Sequence, residues 1–154
     1  MAASIFLADG ERFVPTEHAR GPWDPSALHG GAPAALITAA FERIEPRSEL
    51  RIARLGFELL RPVPFEPLTI STRIVRDGRR VQELAAELHA GEQLICRAIA
   101  LRVSEGPEGL PQSGPSAGAA GERMPGPDAG TPAVFALNED TERASFAASA
   151  MEMR

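Results

Sequence analysis

The residues His29-Gly30-Gly31-Ala32-Pro33-Ala34-Ala35-Leu36-Ile37-Thr38-Ala39-Ala40-Phe41-Glu42-Arg43-Ile44 constrain this chain more than any other stretch. A proline fits the first turn of a helix, where its missing N–H has no partner to serve, and two glycines ahead of it let the backbone turn tightly. From Ala32 to Phe41 there is no charge. A helix without a polar face is enclosed on every side by the rest of its fold. The small residues Ala34, Ala35, Ala39 and Ala40 let that enclosure come close. The spacing predicts one helix over 30–44. Beyond residue 50 the chain is strand-like, so the expected enclosure is a sheet and the fold class is α+β.

Ahead of the helix, Ile5, Leu7 and Phe13 alternate loosely before Pro15, which predicts one edge strand within 4–15. Trp23 sits in an irregular run with Gly21, Pro22 and Pro25, either as plain core filling or as a lid over the helix entrance. Past the breaker Glu45-Pro46-Arg47-Ser48, a period of two sets Ala53, Leu55, Phe57 and Leu59 on one face, with Arg54, Gly56 and Glu58 on the other. Pro62, Pro64 and Pro67 stiffen the crossing to a strand whose inward set is Leu68, Ile70, Thr72 and Ile74. Asp77-Gly78 is a hairpin signal. The next strand turns Leu84, Ala86 and Leu88 inward, and Ala90-Gly91-Glu92 makes a second tight turn. The stretch 94–103 is apolar on both faces, as a strand flanked on both sides would be. The expected sheet is antiparallel, over 51–61, 67–77, 80–90 and 92–104.

The 154 residues suffice for one domain of ordinary size with a tail, and a 44% hydrophobic content can build a core. Composition changes at Ser104: half of the 14 glycines fall between there and Pro132, mixed with Pro, Ser and Ala, as in a linker. The expected boundaries are a first unit over 1–104, a linker over 105–132 and, over 133–154, the start of a second unit. There Phe146-Ala147-Ala148-Ser149-Ala150-Met151 opens a strand-like pattern that stops at Arg154, as if cut short. A net charge of −5 argues against general affinity for nucleic acid or anionic membrane. Cys96 has no second cysteine for a disulfide or a thiolate metal pair, and is expected as a small buried hydrophobe. Residues 1–10 lack the features of a signal peptide, and the helix falls short of the ~20 apolar residues that span a bilayer. A cytoplasmic location is the expectation.

Gly21-Pro22-Trp23-Asp24-Pro25, then Leu28-His29-Gly30-Gly31-Ala32-Pro33-Ala34-Ala35-Leu36, then Phe57-Glu58-Leu59-Leu60-Arg61-Pro62-Val63-Pro64, then Ile74-Val75-Arg76-Asp77-Gly78-Arg79-Arg80-Val81 resemble, in this order, the opening of acyl-CoA thioesterases of the double-hotdog type, the thioesterase II-like family. The resemblance implies a hotdog fold, an antiparallel sheet wrapped around one long central helix, with two such units in the full chain. It implies hydrolysis of fatty acyl-CoA or a related acyl thioester to free acid and CoA, without a metal or redox cofactor. The implied partners are the acyl-CoA substrate and either a homo-oligomer or a second hotdog unit. Residues 148–154 are similar to the opening strand of that second unit. In better-known members the acidic residue on the second helix and its Thr and Gln partners lie beyond that point.

Thioester hydrolysis needs a polarised carbonyl and an activated water. Free N–H groups at a helix start, with the helix dipole behind them, suit a developing oxyanion. Gly30, Gly31 and Ala32 are the candidate oxyanion and substrate-binding positions, with Gly31 and Ala32 as donors and Trp23 beside them; Pro33 cannot donate. The alternative is that the glycines only make a tight turn. His29 is a candidate to orient water or bind the carbonyl, against a purely structural role. Single-unit hotdog thioesterases with a similar His-Gly-Gly pattern carry an acid one to two turns into the helix. Thr38 stands there instead, and threonine is no general base at neutral pH. Asp24 is the nearby carboxylate and the second catalytic candidate. Hotdog enoyl-CoA hydratases use an Asp and a His at the Asp24–His29 spacing, with Asn and Pro between. Here Ser26 stands at the Asn position and Pro25 is displaced, so hydratase is an alternative on a broken motif. Asp24 is otherwise an acceptor within its own turn. A non-catalytic acyl-binding or assembly module is the remaining alternative. Arg73, Arg76, Arg79 and Arg80 surround the hairpin, suited to CoA phosphates or to a solvated face.

Overall fold

The computed structural model describes residues 4–44, 47–106, 126–131 and 146. Six strands form one sheet: β1 (Phe6–Asp9), β2 (Arg12–Pro15), β3 (Leu50–Leu59), β4 (Leu68–Asp77), β5 (Val81–Ala90) and β6 (Gln93–Ser104). Their spatial order is β1-β2-β4-β5-β6-β3, and every neighbouring pair is antiparallel. The helix α1 (Gly31–Arg43) lies across β4 and β5. This is the α+β arrangement that the hotdog resemblance implies, and β6 is flanked on both sides as its two apolar faces require.

Three expectations need correction. The segment 4–15 is a hairpin of two strands, because Gly10 adopts a left-handed conformation (φ 62°) and reverses a chain whose loose alternation continues through it. On β3 a bulge between Ile52 and Arg54 displaces Ala53, so Ile52 shares the helix-facing side with Leu55, Phe57 and Leu59. The helix, finally, is not enclosed all round. Ala32, Pro33, Leu36, Ile37 and Phe41 are buried, whereas Ala35 is exposed and Ala34, Thr38, Ala39 and Ala40 are half-buried. One sheet covers one side of a helix. The uncharged opposite side carries mostly methyl groups, so leaving it open to water costs little area.

The core joins Ile37 and Phe41 to Leu68, Leu84, Leu88 and Ile95, with Cys96 buried beside them as expected. Full burial of a side chain such as Ile37 or Phe41 contributes about 1.5–3 kcal/mol. A cation completes the packing at the far end of the helix. Arg102 is buried, and its guanidinium donates to the carbonyls of Phe41 and of Ile44 (2.9 Å), where the helix dipole favours positive charge. It also donates to Gln82 Oε1 (3.1 Å), while the Gln82 amide donates to Asp77 (3.1 Å) and Arg47 reaches the same carboxylate (2.9 Å). The last turn of α1 is thereby tied to β4, β5 and β6.

On the sheet face opposite α1 there is an open trough of about 640 Å³, lined in part by Gly56, Ser71, Ala85, Arg73, Arg97 and Ile99. Most of the linker expected over 105–132 and of the second unit expected over 133–154 lies outside the described residues. Of them, Pro127–Ala129 form one short 3-10 turn, and Phe146, helical where a strand-like pattern is expected to begin, packs into the core cluster. Among the described residues no helix is long and apolar enough to cross a membrane.

Candidate active site at the start of the helix

Between β2 and α1 the chain folds back on itself through backbone bonds that leave little freedom. The N–H of Gly21 donates to the Ala27 carbonyl (2.9 Å), that of Leu28 to Val63 (2.8 Å) and that of His29 to Ala19 (2.9 Å). Gly21 is needed for closeness: a Cβ there would stand 3.1 Å from the Ala27 oxygen. Arg20 braces the loop, paired with Glu17 at 2.8 Å and stacked over Phe65. His29 therefore enters the first turn of α1 from a fixed direction.

Its Nδ1 accepts the Gly31 N–H at 3.0 Å, so the proton of the neutral ring sits on Nε2. The ring stacks with two aromatics, Phe146 at 4.8 Å and 8° and Trp23 at 5.8 Å and 17°. Burial pushes the His29 pKa below its ordinary value, which favours the neutral imidazole. Trp23 itself is 74% exposed, so it is no core filler; it covers His29 from the outside.

The helix start offers fewer donors than the sequence suggests. Gly31 gives its N–H to His29 Nδ1, and Ala32 gives its own to the His29 carbonyl (2.9 Å). The Gly30 N–H meets no acceptor among the described residues. Neither glycine takes a positive φ, so their role is space rather than a special turn. A Cβ on Gly31 would stand 2.6 Å from the Phe146 ring and 3.0 Å from His29 Nδ1; one on Gly30 would make ordinary contact with Leu59 Cδ1 at 3.5 Å.

His29, Gly30, Gly31, Ala32 and Trp23 thus come together. Asp24 lies on the same loop but turns to its own neighbour, accepting from the Ser26 N–H (2.8 Å) and hydroxyl (2.7 Å). Those bonds hold its carboxyl below the usual carboxylate range. Thr38 donates its hydroxyl to the Ala34 carbonyl one turn back (2.8 Å). Glu42 is exposed, and Glu58, Glu83 and Glu87 are on the sheet face away from α1. Sequence reasoning missed Phe146 as a neighbour of the site, since it lies beyond the Gly/Pro-rich stretch. The signal available was Gly31 itself, a glycine in a helix that needs no unusual φ and is therefore small for someone else's sake.

Similar folds are found among solved structures. The phenylacetic acid degradation-related protein of Ralstonia eutropha JMP134 superposes with a TM-score of 0.50 at 23% identity, over 60% of this chain and 72% of its own. The PaaI protein of E. coli gives 0.52 at 15%, over 62% and 70%. The tesB protein of Mycobacterium avium subsp. paratuberculosis gives 0.51 at 16%, over 66% of this chain but only 40% of its own length. At these identities the likeness shows the hotdog fold alone. No curated protein sequence matches the chain. A family profile does: residues 19–103, from the loop that positions His29 through the end of the sheet, match the acyl-CoA thioesterase N-terminal domain. That match spans more than half of the 154 residues and contains every sequence-derived site candidate, so the chain belongs to the acyl-CoA thioesterase N-terminal domain family.

Proposed function

We propose that this chain supplies one half of a hydrolytic site for fatty acyl-CoA or a related acyl thioester. The observation that carries the proposal is the Gly30 N–H, a donor with no acceptor among the described residues, at the positive end of α1 beside His29. The thioester carbonyl takes that donor, and the oxyanion formed on water attack is stabilised there. His29 Nε2–H is the second donor within reach of the same loop. Leu59, beside Gly30, and Phe57 are exposed on the helix-facing side of β3 and give an acyl chain an apolar wall. No base is at hand among the described residues of the helix start, since Thr38 bonds back to the helix and Asp24 is held by Ser26. The base comes from a second copy or a second hotdog unit facing the uncovered side of α1.

Two variants at one position test this. Gly30 has φ −57°, which proline adopts, so Gly30→Pro removes the N–H with little demand on the backbone. Gly30→Ala keeps the N–H and adds a tolerated methyl. Hydrolysis of acyl-CoA by the full-length protein should fall about 10²–10³-fold in Gly30→Pro and little in Gly30→Ala. Equal activity in the two would end the oxyanion reading. Consumption of trans-2-enoyl-CoA without thioester cleavage, lost on Asp24→Asn, would replace it with the hydratase.

A further inference from the structure

The ring of Phe146 is tied to the helix start by two observations independent of each other. Its backbone N–H donates to the Arg20 carbonyl at 3.0 Å, on the loop that fixes His29, and the residue is 8% exposed. Its ring also fills the space a side chain at position 31 would take, at 2.6 and 2.9 Å from an ideal Cβ there. Glycine at position 31 and phenylalanine at position 146 are thus complementary shapes, though far apart in the chain. The imidazole lies beside both, nearly parallel to the phenyl ring, with its Nδ1 3.0 Å from the same ideal Cβ.

We infer that Phe146 is a positioning residue of the site, stacking on the His29 ring so that Nδ1 stays on the Gly31 N–H and Nε2–H is the edge left to face a ligand. This rests on the reading of the helix start as the active site. A histidine with one free ring edge has two ways to turn, and a χ2 rotation by half a turn would put Cδ2 where Nδ1 accepts from Gly31 and Cε1 where Nε2 stands. Stacking against two nearly parallel rings hinders that turn, and the bond from Gly31 selects both the orientation and the tautomer. Phe146 also shields the ring from water. Protonation would turn Nδ1 from acceptor into donor and break the bond to Gly31, so a clamp that keeps the ring dry also keeps the first turn intact. Charges do not supply this effect. Glu17 and Arg20 are paired with each other, Asp24 holds Ser26, and Glu58 on β3 is on the opposite face of the sheet. Burial alone accounts for the direction in which His29 is shifted.

The test is a pH titration of the histidine Cε1–H resonances in the whole chain, with His29 identified among His18, His29 and His89 by its loss in His29→Gln. In the unaltered protein His29 should titrate below the ordinary value of about 6.5. Phe146→Ala should move its midpoint up towards that value, and Phe146→Tyr should leave it near the original. Gly31→Ala provides a second route to the same end, because its methyl displaces the phenyl ring. It should raise the midpoint as Phe146→Ala does, and the double variant should rise no further. An unchanged His29 midpoint in folded Phe146→Ala, or additive shifts in the double variant, would overturn the inference. The titration needs no substrate, so its outcome is separable from that of the Gly30 pair.

Discussion

Arg102 is a guanidinium at 4% exposure whose hydrogen-bond acceptors include two main-chain carbonyls and a glutamine. By alternation along β6 it falls on the same face as Cys96, Ala98 and Ala100, but a strand apolar on both faces does not mark that face as the buried one. Its acceptors at the end of α1 were not legible either, because nothing in a strand pattern tells which helix terminus the strand will pass. Hydrogen bonds to a charged group contribute about 1.5–3 kcal/mol, and Arg102→Met leaves the carbonyls of Phe41 and Ile44 and Gln82 Oε1 to find other partners. Urea unfolding should show a loss of that order, with Gln82→Leu adding less in the Arg102→Met background than alone, since the two share one network. Phe146 was illegible for the same physical reason: its sequence neighbours say strand, and its place is set by a glycine over a hundred residues earlier.

The helix and four long strands begin and end within two residues of their expected bounds, because an uncharged run after Gly-Gly and a strict period of two leave few other arrangements. Bulges escape such reading. The insertion at Ala53, like that at Val75 on β4, breaks the period for one residue without a marker in residue type. The two turns show how a correct signal can have a different cause. Gly91 takes a φ of +56°, so Gly91→Ala should cost about 1–2 kcal/mol for the left-handed backbone alone. Gly78 has no positive φ; a Cβ there would meet the Val81 carbonyl oxygen at 2.5 Å, which only a backbone shift can relieve. Thermal unfolding should therefore rank Gly78→Ala as the more damaging substitution, and the reverse order would show that the hairpin relaxes easily.

At the scale of the molecule, the unfinished surfaces lie next to one another. β3 is an edge strand with one side unpaired, Phe57 and Leu59 are exposed on it, and the alanine side of α1 is open. Alternation could not distinguish these positions from core, since a surface meant for a partner carries the same residues as an interior. Edges of this kind pair with other chains, and two copies meeting through β3 would form a closed, isologous dimer. Sedimentation at micromolar concentration should give a dimer; a well-behaved monomer would leave the partner role to a second unit in the same polypeptide. The position of β3 bears also on how the fold is born. β3 is synthesised before β4, β5 and β6, yet among the described strands it pairs with β6 alone, Leu50 opposite Ser104. The strands β4, β5 and β6 are joined by turns of three and two residues and can close locally, whereas β3 must wait for the farthest of them and bear the entropy of the larger loop. Arg102 reaches the helix from that same strand. Until β6 has left the ribosome, the nascent chain holds a helix whose last carbonyls lack Arg102 and a strand without its partner among the described strands, so β3 can join the sheet only after β6 is made.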